Sequence, residues 1–203
     1  MCIKENKLEI KKLVIGIGGA SGVHLGLKFI EYIPDSIELF VVISEGAKAV
    51  ALNEMGEDIE CTLDKIRHKR HFRIYNEDEL DSSVSSGSFG VNAMAIVPTS
   101  MNLLAKIANG LCDDLISRCA SIMLKEKRTL LLAPREMPLS PIALEQMSRL
   151  SSFGVIVAPP IVGYYAKPSD LESMECFFVG KWLDALKIPN NLYKRWKHHI
   201  EGE

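Results

Sequence analysis

Apolar residues in this chain gather in short unbroken runs rather than alternating with polar ones. Leu13–Gly16, Ile37–Ser44, Ala93–Val97, Arg128–Pro134 and Val155–Ala158 carry most of the branched aliphatic side chains. Runs this short and this continuously apolar predict strands buried on both faces. Between them, helices are predicted over Ser21–Tyr32, Ala47–Leu52, Leu103–Asn109, Leu144–Phe153 and Leu171–Leu186. Glu54 to Glu79 is polar, and its basic knot Arg67–Arg73 reads as a solvated face. Strands alternating with helices through short connections predict an α/β fold, a doubly wound parallel sheet, in a single domain spanning 1–203.

Composition narrows the function. The chain has 203 residues, 47% hydrophobic and 25% charged, enough for one sizeable core. A net charge of -2 argues against a nucleic-acid partner. No apolar run is long enough for a membrane span, and the opening MCIKENKLEIKK has no apolar core of a secretory signal. Cys2, Cys61, Cys112, Cys119 and Cys176 are scattered, which disfavours a zinc site or a disulfide framework. The five histidines form no ligand spacing, so no metal is expected. These features predict a cytoplasmic protein.

Candidate chemistry sits where strands end, because ligands of such sheets bind outside the carboxyl ends. Gly16, Gly18, Gly19 and Gly22 surround a turn between the first strand and the first helix. The spacing departs from the dinucleotide fingerprint, and both phosphate binding at the helix N-terminus and tight packing account for it. Ser82–Gly90 (SSVSSGSFG) reads as a flexible loop or a binding loop. Thr99–Asn102 suits a helix N-cap or a contact to a phosphate or ring edge. Arg135-Glu136, braced by prolines after the fourth strand, is a surface ion pair or an anion clamp beside a proton carrier. Pro159–Tyr165 offers two tyrosines on a stiff loop, for packing or for a ligand. Arg118, Lys125 and Lys181 are isolated cations.

Taken together, GGASG (Gly18–Gly22), SSGSF (Ser85–Phe89), VPTSMNLLAKIANG (Val97–Gly110), LKEKR (Leu124–Arg128), REMPL (Arg135–Leu139) and the Pro159–Tyr165 loop resemble the flavin prenyltransferases of the UbiX/Pad1 group. The resemblance runs from about residue 12 to residue 196. It implies a Rossmann-like fold and a homo-oligomer, a dodecamer with active sites between subunits. It implies transfer of a dimethylallyl group from dimethylallyl monophosphate to N5 and then C6 of reduced FMN. The prenylated FMN would serve a UbiD-type decarboxylase.

Carried over by position, the resemblance assigns FMN binding to Gly19, Ala20, Ser21, Ser44, Ser88, Ser100, Met101, Asn102, Leu103 and Arg135. Glu136 and Ser21 become the catalytic residues, with Glu136 handling protons during ring closure. Lys125, Tyr165 and Lys181 would grip the prenyl phosphate. Lys181 stands where many members carry Arg, and a lysine cannot grip phosphate bidentately. Two other readings use the same turn: an FMN-dependent cysteine decarboxylase of the same fold, and a non-catalytic FMN carrier. The cysteine decarboxylases centre on a histidine after the first helix and a PxMNxxMW-type motif, neither of which is found here.

Overall fold

The computed structural model describes residues 10–196. Residues 1–9 of the opening stretch read above for a leader, and His198 and His199, lie outside the described residues. Six strands, β1 (Lys12–Ile17), β2 (Glu38–Ile43), β3 (Arg73–Asn76), β4 (Ala93–Thr99), β5 (Thr129–Pro134) and β6 (Ile156–Val157), form one sheet in the order β3-β2-β1-β4-β5-β6. Every pairing is parallel. The chain winds outward from β1 to β3, then crosses back to β4 on the other side of β1. A crevice therefore opens at the carboxyl ends of β1 and β4, where the winding reverses.

Period-two side-chain alternation splits the strands between two cores. Leu13, Ile15, Ile17, Leu39, Val41 and Ile43 face α1 (Val23–Glu31), α2 (Glu45–Met55), α3 (Ile59–Arg67) and α7 (Leu171–Ala185). Val14, Phe40, Val42, Met94, Ile96, Leu130 and Leu132 face α4 (Met101–Ala108), α5 (Leu115–Lys125) and α6 (Pro141–Ser152). Covering both faces explains why the strand runs are unbroken rather than alternating.

The structure adds what the polar middle hid. Ile59, Leu63 and Ile66 form the buried stripe of α3. β3 is a short edge strand whose sequence, RIYN, carries no apolar run. α5 also escaped the strand-and-helix pattern; a capping box of Asp114 and Ser117 starts it. The basic knot is not uniformly solvated, because Arg70 is buried. Its guanidinium donates to Ile33 O, to Ile37 O at 2.8 Å and to Asp35 at 3.4 Å. It staples the turn between α1 and β2: its terminal nitrogens donate to the carbonyls and to Asp35, while its buried Nε has no partner among the described residues. The Ser82–Gly90 loop contains two short 3-10 turns, Ser83–Ser85 and Gly87–Phe89.

Candidate functional site

The turn after β1 is built for close approach. Gly18 donates its N–H to Pro98 O at 3.0 Å, and a Cβ there would stand 2.7 Å from that oxygen. A Cβ on Gly19 would stand 2.7 Å from the backbone of Gly46, so the turns after β1 and β2 touch. Gly22 holds φ at 91°, a conformation that glycine adopts at little cost. The packing role of the glycines is thus visible in the backbone.

The anion at the N-terminus of α1 is the chain's own. Gly22 N–H donates to Glu54 Oε2 at 2.9 Å, and the Ser21 hydroxyl also bonds that carboxylate. Burial works against the charge on Glu54. The bonds from Ser21, Gly22 and Val23, with His24 nearby, outweigh it and hold the carboxyl below its usual range. Sequence reading missed Glu54, which lies on α2, 32 residues from Gly22. A carboxylate reaching a helix N-terminus from another element leaves no local pattern.

The other rim serines cap helices. Ser44, buried at the end of β2, accepts from Ala47 N at 3.1 Å and starts α2. Ser100 accepts from Leu103 N at 3.3 Å and starts α4. Leu103 is buried, Met101 half-buried and Asn102 exposed. Arg135 N bonds Thr99 O at 3.2 Å, which ties the end of β5 to the end of β4. The Arg135 and Glu136 side chains then stand exposed. They do not form the ion pair the sequence allowed. Glu136 Oε1 instead accepts from Met137 N at 3.1 Å, and the Arg135 guanidinium has no partner among the described residues. Gly19, Ala20, Ser21, Ser44, Ser100–Leu103, Arg135 and Glu136 therefore share one rim, at the carboxyl ends of β1, β2, β4 and β5.

Tyr165 follows β6, with its ring edge-on to Phe177 at 5.7 Å and to Trp196 at 5.8 Å. Lys181 lies on α7, its Nζ 5.9 Å from the centre of the Tyr193 ring. It lines a cavity of about 420 Å³ together with Phe177, Phe178 and Trp182.

Ser88 and Lys125 lie elsewhere. Both belong to the amino-terminal end of the sheet, where a Cβ on Gly87 would stand 3.5 Å from Lys125 Nζ. Arg128, just before β5, donates to Gly87 O at 2.9 Å and pins the Ser88 loop there. Beside them a cavity of about 940 Å³ has an apolar floor and five cations, Lys125, Lys127, Arg128, Arg149 and Lys187, with no acidic residue in its lining. One chain thus divides the expected site between the two ends of its sheet. Among the described residues, no group of His, Cys, Asp and Glu could hold a metal ion, and no helix is long and apolar enough to cross a membrane.

Comparison with known proteins follows this geometry. The flavoprotein family model matches residues 1–176. The chain is 51% identical over 185 residues to the flavin prenyltransferase UbiX of Helicobacter pylori, covering 91% of this chain and 98% of that protein. It is 42% identical over 187 residues to that of Campylobacter jejuni, covering 92% and 99%. Among solved structures, AnUbiX (PadA1) in complex with FMN and dimethylallyl pyrophosphate is similar at TM-score 0.85 and 34% identity, covering 94% of this chain and 99% of that one. A dodecameric FMN-dependent UbiX-like decarboxylase from Escherichia coli O157:H7 is similar at TM-score 0.84 and 34% identity, covering 92% and 100%. A PPC decarboxylase mutant, at TM-score 0.58 and 18% identity over 76% of this chain and 84% of that one, shares the fold.

Proposed function

The chain belongs to the flavin prenyltransferases of the flavoprotein family, and from that premise we propose that it joins a dimethylallyl group from dimethylallyl monophosphate to N5 and C6 of reduced FMN. The observation that carries this reading is the pair Arg135 and Glu136, unpaired at the carboxyl end of β5, in a chain 51% identical to a flavin prenyltransferase over nearly its full length. An FMN carrier needs no exposed carboxylate there.

The rim suits a flavin. Gly18 and Gly19 keep the crevice floor at backbone height, where a side chain would collide with Pro98 or Gly46. Ser100 to Leu103 present the N-terminus of α4, and Arg135 offers an unpartnered guanidinium to an anionic or carbonyl edge. Reduced FMN supplies the electron-rich ring that accepts the prenyl carbon. Ser21 is held by Glu54 at the lip of the crevice.

The remaining work falls to side chains. An allylic phosphate leaves more readily when cations and hydroxyls meet its developing charge. Lys181 and Tyr165 serve that role, with Lys125 brought from a neighbouring copy. Glu136 is the base for the proton lost from C6 when the ring closes. Ser88 comes with Lys125, because its loop lies against the end of α5, where a Cβ on Gly87 would stand 3.5 Å from Lys125 Nζ. Such a site requires a homo-oligomer, and a dodecamer agrees with the assembly of the similar Escherichia coli protein. A cytoplasmic location and a UbiD-type decarboxylase as recipient of the prenylated FMN complete the proposal.

The direct test is the mass of the flavin after anaerobic incubation with reduced FMN and dimethylallyl monophosphate. A gain of one five-carbon unit is expected. Unmodified FMN, with both substrates demonstrably bound, would refute prenyl transfer and redirect the search to cysteine-ending peptides.

A further inference from the structure

Beyond α7 the chain turns back on itself, and one carboxylate gathers the returning segment. Asp184 accepts from both terminal nitrogens of Arg195 at 2.8 Å, from Asn190 Nδ2 at 2.9 Å and from the Tyr193 hydroxyl. A bidentate guanidinium fixes direction as well as distance. The fit against α7 is close: a Cβ on Gly180 would stand 2.5 Å from Tyr193 Cδ1 and 3.0 Å from Asn190 Oδ1. Tyr193 packs edge-on to Phe177 at 5.1 Å.

This clamped segment touches two groups assigned above to the prenyl phosphate. The Tyr193 ring lies 5.9 Å from Lys181 Nζ, and the Trp196 ring lies 5.8 Å from that of Tyr165. Neither Tyr165 nor Lys181 has a side-chain hydrogen bond or ion pair among the described residues. Their placement rests on ring contacts: Tyr165 packs on Phe177 of α7 and on Trp196, Lys181 on Tyr193, and the Trp196 and Tyr193 rings are placed by the segment that Asp184 holds.

We propose that Asp184 is a positioning residue: by clamping Tyr193 and Arg195 it sets the Tyr193 ring against Lys181 and the Trp196 ring against Tyr165, and so fixes two phosphate-binding groups. This rests on the functional reading above. Asp184 is not a catalytic residue, since its oxygens are taken by the segment itself. The clamp controls how well the prenyl phosphate is held and leaves the flavin rim, at the ends of β1, β4 and β5, untouched.

The experiment compares Asp184→Asn, Arg195→Gln and Arg195→Lys with wild type in the full-length oligomer. Arg195 is exposed, so its variants keep the test available should Asp184→Asn fail to fold. Expected are a rise of about tenfold in KM for dimethylallyl monophosphate in Asp184→Asn and Arg195→Gln, unchanged FMN affinity, and partial rescue by Arg195→Lys. Faster tryptic cleavage after Lys194 in the first two variants reads the clamp without turnover. An unmoved KM in Arg195→Gln overturns the proposal. So does a rise in KM accompanied by a fall in FMN affinity and in melting temperature, which would mark a purely structural role. Wild-type turnover measured alongside separates the failures: no prenylated flavin from wild type refutes the function, while normal wild-type turnover with an unmoved KM refutes the clamp.

Discussion

Lys125 and Glu136 stand at opposite ends of the same strand. Lys125 ends α5 just before β5 begins, and Glu136 follows just after β5 closes. The six residues of β5 that lie between them, Thr129–Pro134, rise about 3.3 Å each, which separates the two by roughly 20 Å. A five-carbon phosphate does not span that gap, so one chain cannot apply both groups to one substrate. Lys125→Ala and Glu136→Gln are each expected to be nearly inactive alone. Co-expressed and co-assembled, they should regain about a quarter of wild-type activity, because about one site in four then pairs an intact Glu136 with a neighbour's intact Lys125. Prenylated flavin formed by the purified mixed oligomer measures this. No recovery in verified mixed oligomers places both residues in one subunit's chemistry or removes one of them from it.

Separate roles at the rim and on α7 give separate kinetic signatures. Glu136→Gln keeps shape and hydrogen bonding but cannot take a proton, so kcat should fall by about a hundredfold or more. FMN affinity should hold. Lys181→Ala should raise KM for dimethylallyl monophosphate by about tenfold through loss of one charge-assisted contact, with FMN binding spared. Lys181→Arg should lower KM, since a guanidinium fork meets a phosphate bidentately. Steady-state kinetics beside flavin-fluorescence titration distinguishes these outcomes; equal KM in all three Lys181 forms would remove that residue from the phosphate site.

Much of this arrangement was legible from residues alone. The buried strands announced themselves because each is covered on both faces, as the packing of Val14 and Ile15 into opposite cores illustrates. β3 did not, since a short edge strand needs only Ile74 and Tyr75 half-buried. α3 was hidden because its stripe of Ile59, Leu63 and Ile66 is spaced among charges. At the site, strand-end positions located Ser44, Ser100 and Arg135 on one rim. The reach of Glu54 to Gly22 and of Arg195 to Asp184 links distant segments, and such links carry no short-range pattern. The separation of Lys125 from Glu136 follows from the strand Arg128–Pro134 predicted between them.

The contact between Gly19 and Gly46 makes a stability prediction. Gly19→Ala would place its methyl 2.7 Å from the Gly46 backbone, and neither turn can yield without moving the ends of β1 and β2. Overpacking of this kind costs about 1–3 kcal/mol. Denaturant unfolding should register that loss, and FMN affinity should fall with it because the crevice floor shifts. Gly56→Ala is the control, since a Cβ there meets nothing within 4 Å, although its φ of 71° retains a smaller backbone cost. Equal stability of Gly19→Ala and wild type would show that the two turns are free to part.

The clamp at Asp184 should release at both extremes of pH. Burial pushes the Tyr193 hydroxyl up, the neighbouring Asp184 carboxylate adds to it, and the ionisation moves from 10.0 to about 12. A folded-state value above the unfolded one means that the bond contributes fully below about 10 and is lost as pH rises through about 12. Asp184 works in the other direction. Burial opposes its charge, but Arg195, Tyr193 and Asn190 outweigh that and hold it below 3.8. Its contribution is therefore present above about 3.8 and lost as pH falls below that value. The segment should stay docked across the broad interval between. Ultraviolet titration of tyrosinate should reveal a late step near 12 in the wild type that is absent from Tyr193→Phe. In Asp184→Asn the same step should move back toward 10, because the negative neighbour is gone. A late step that survives in Tyr193→Phe would assign it to another tyrosine and leave the hydroxyl of Tyr193 outside the clamp.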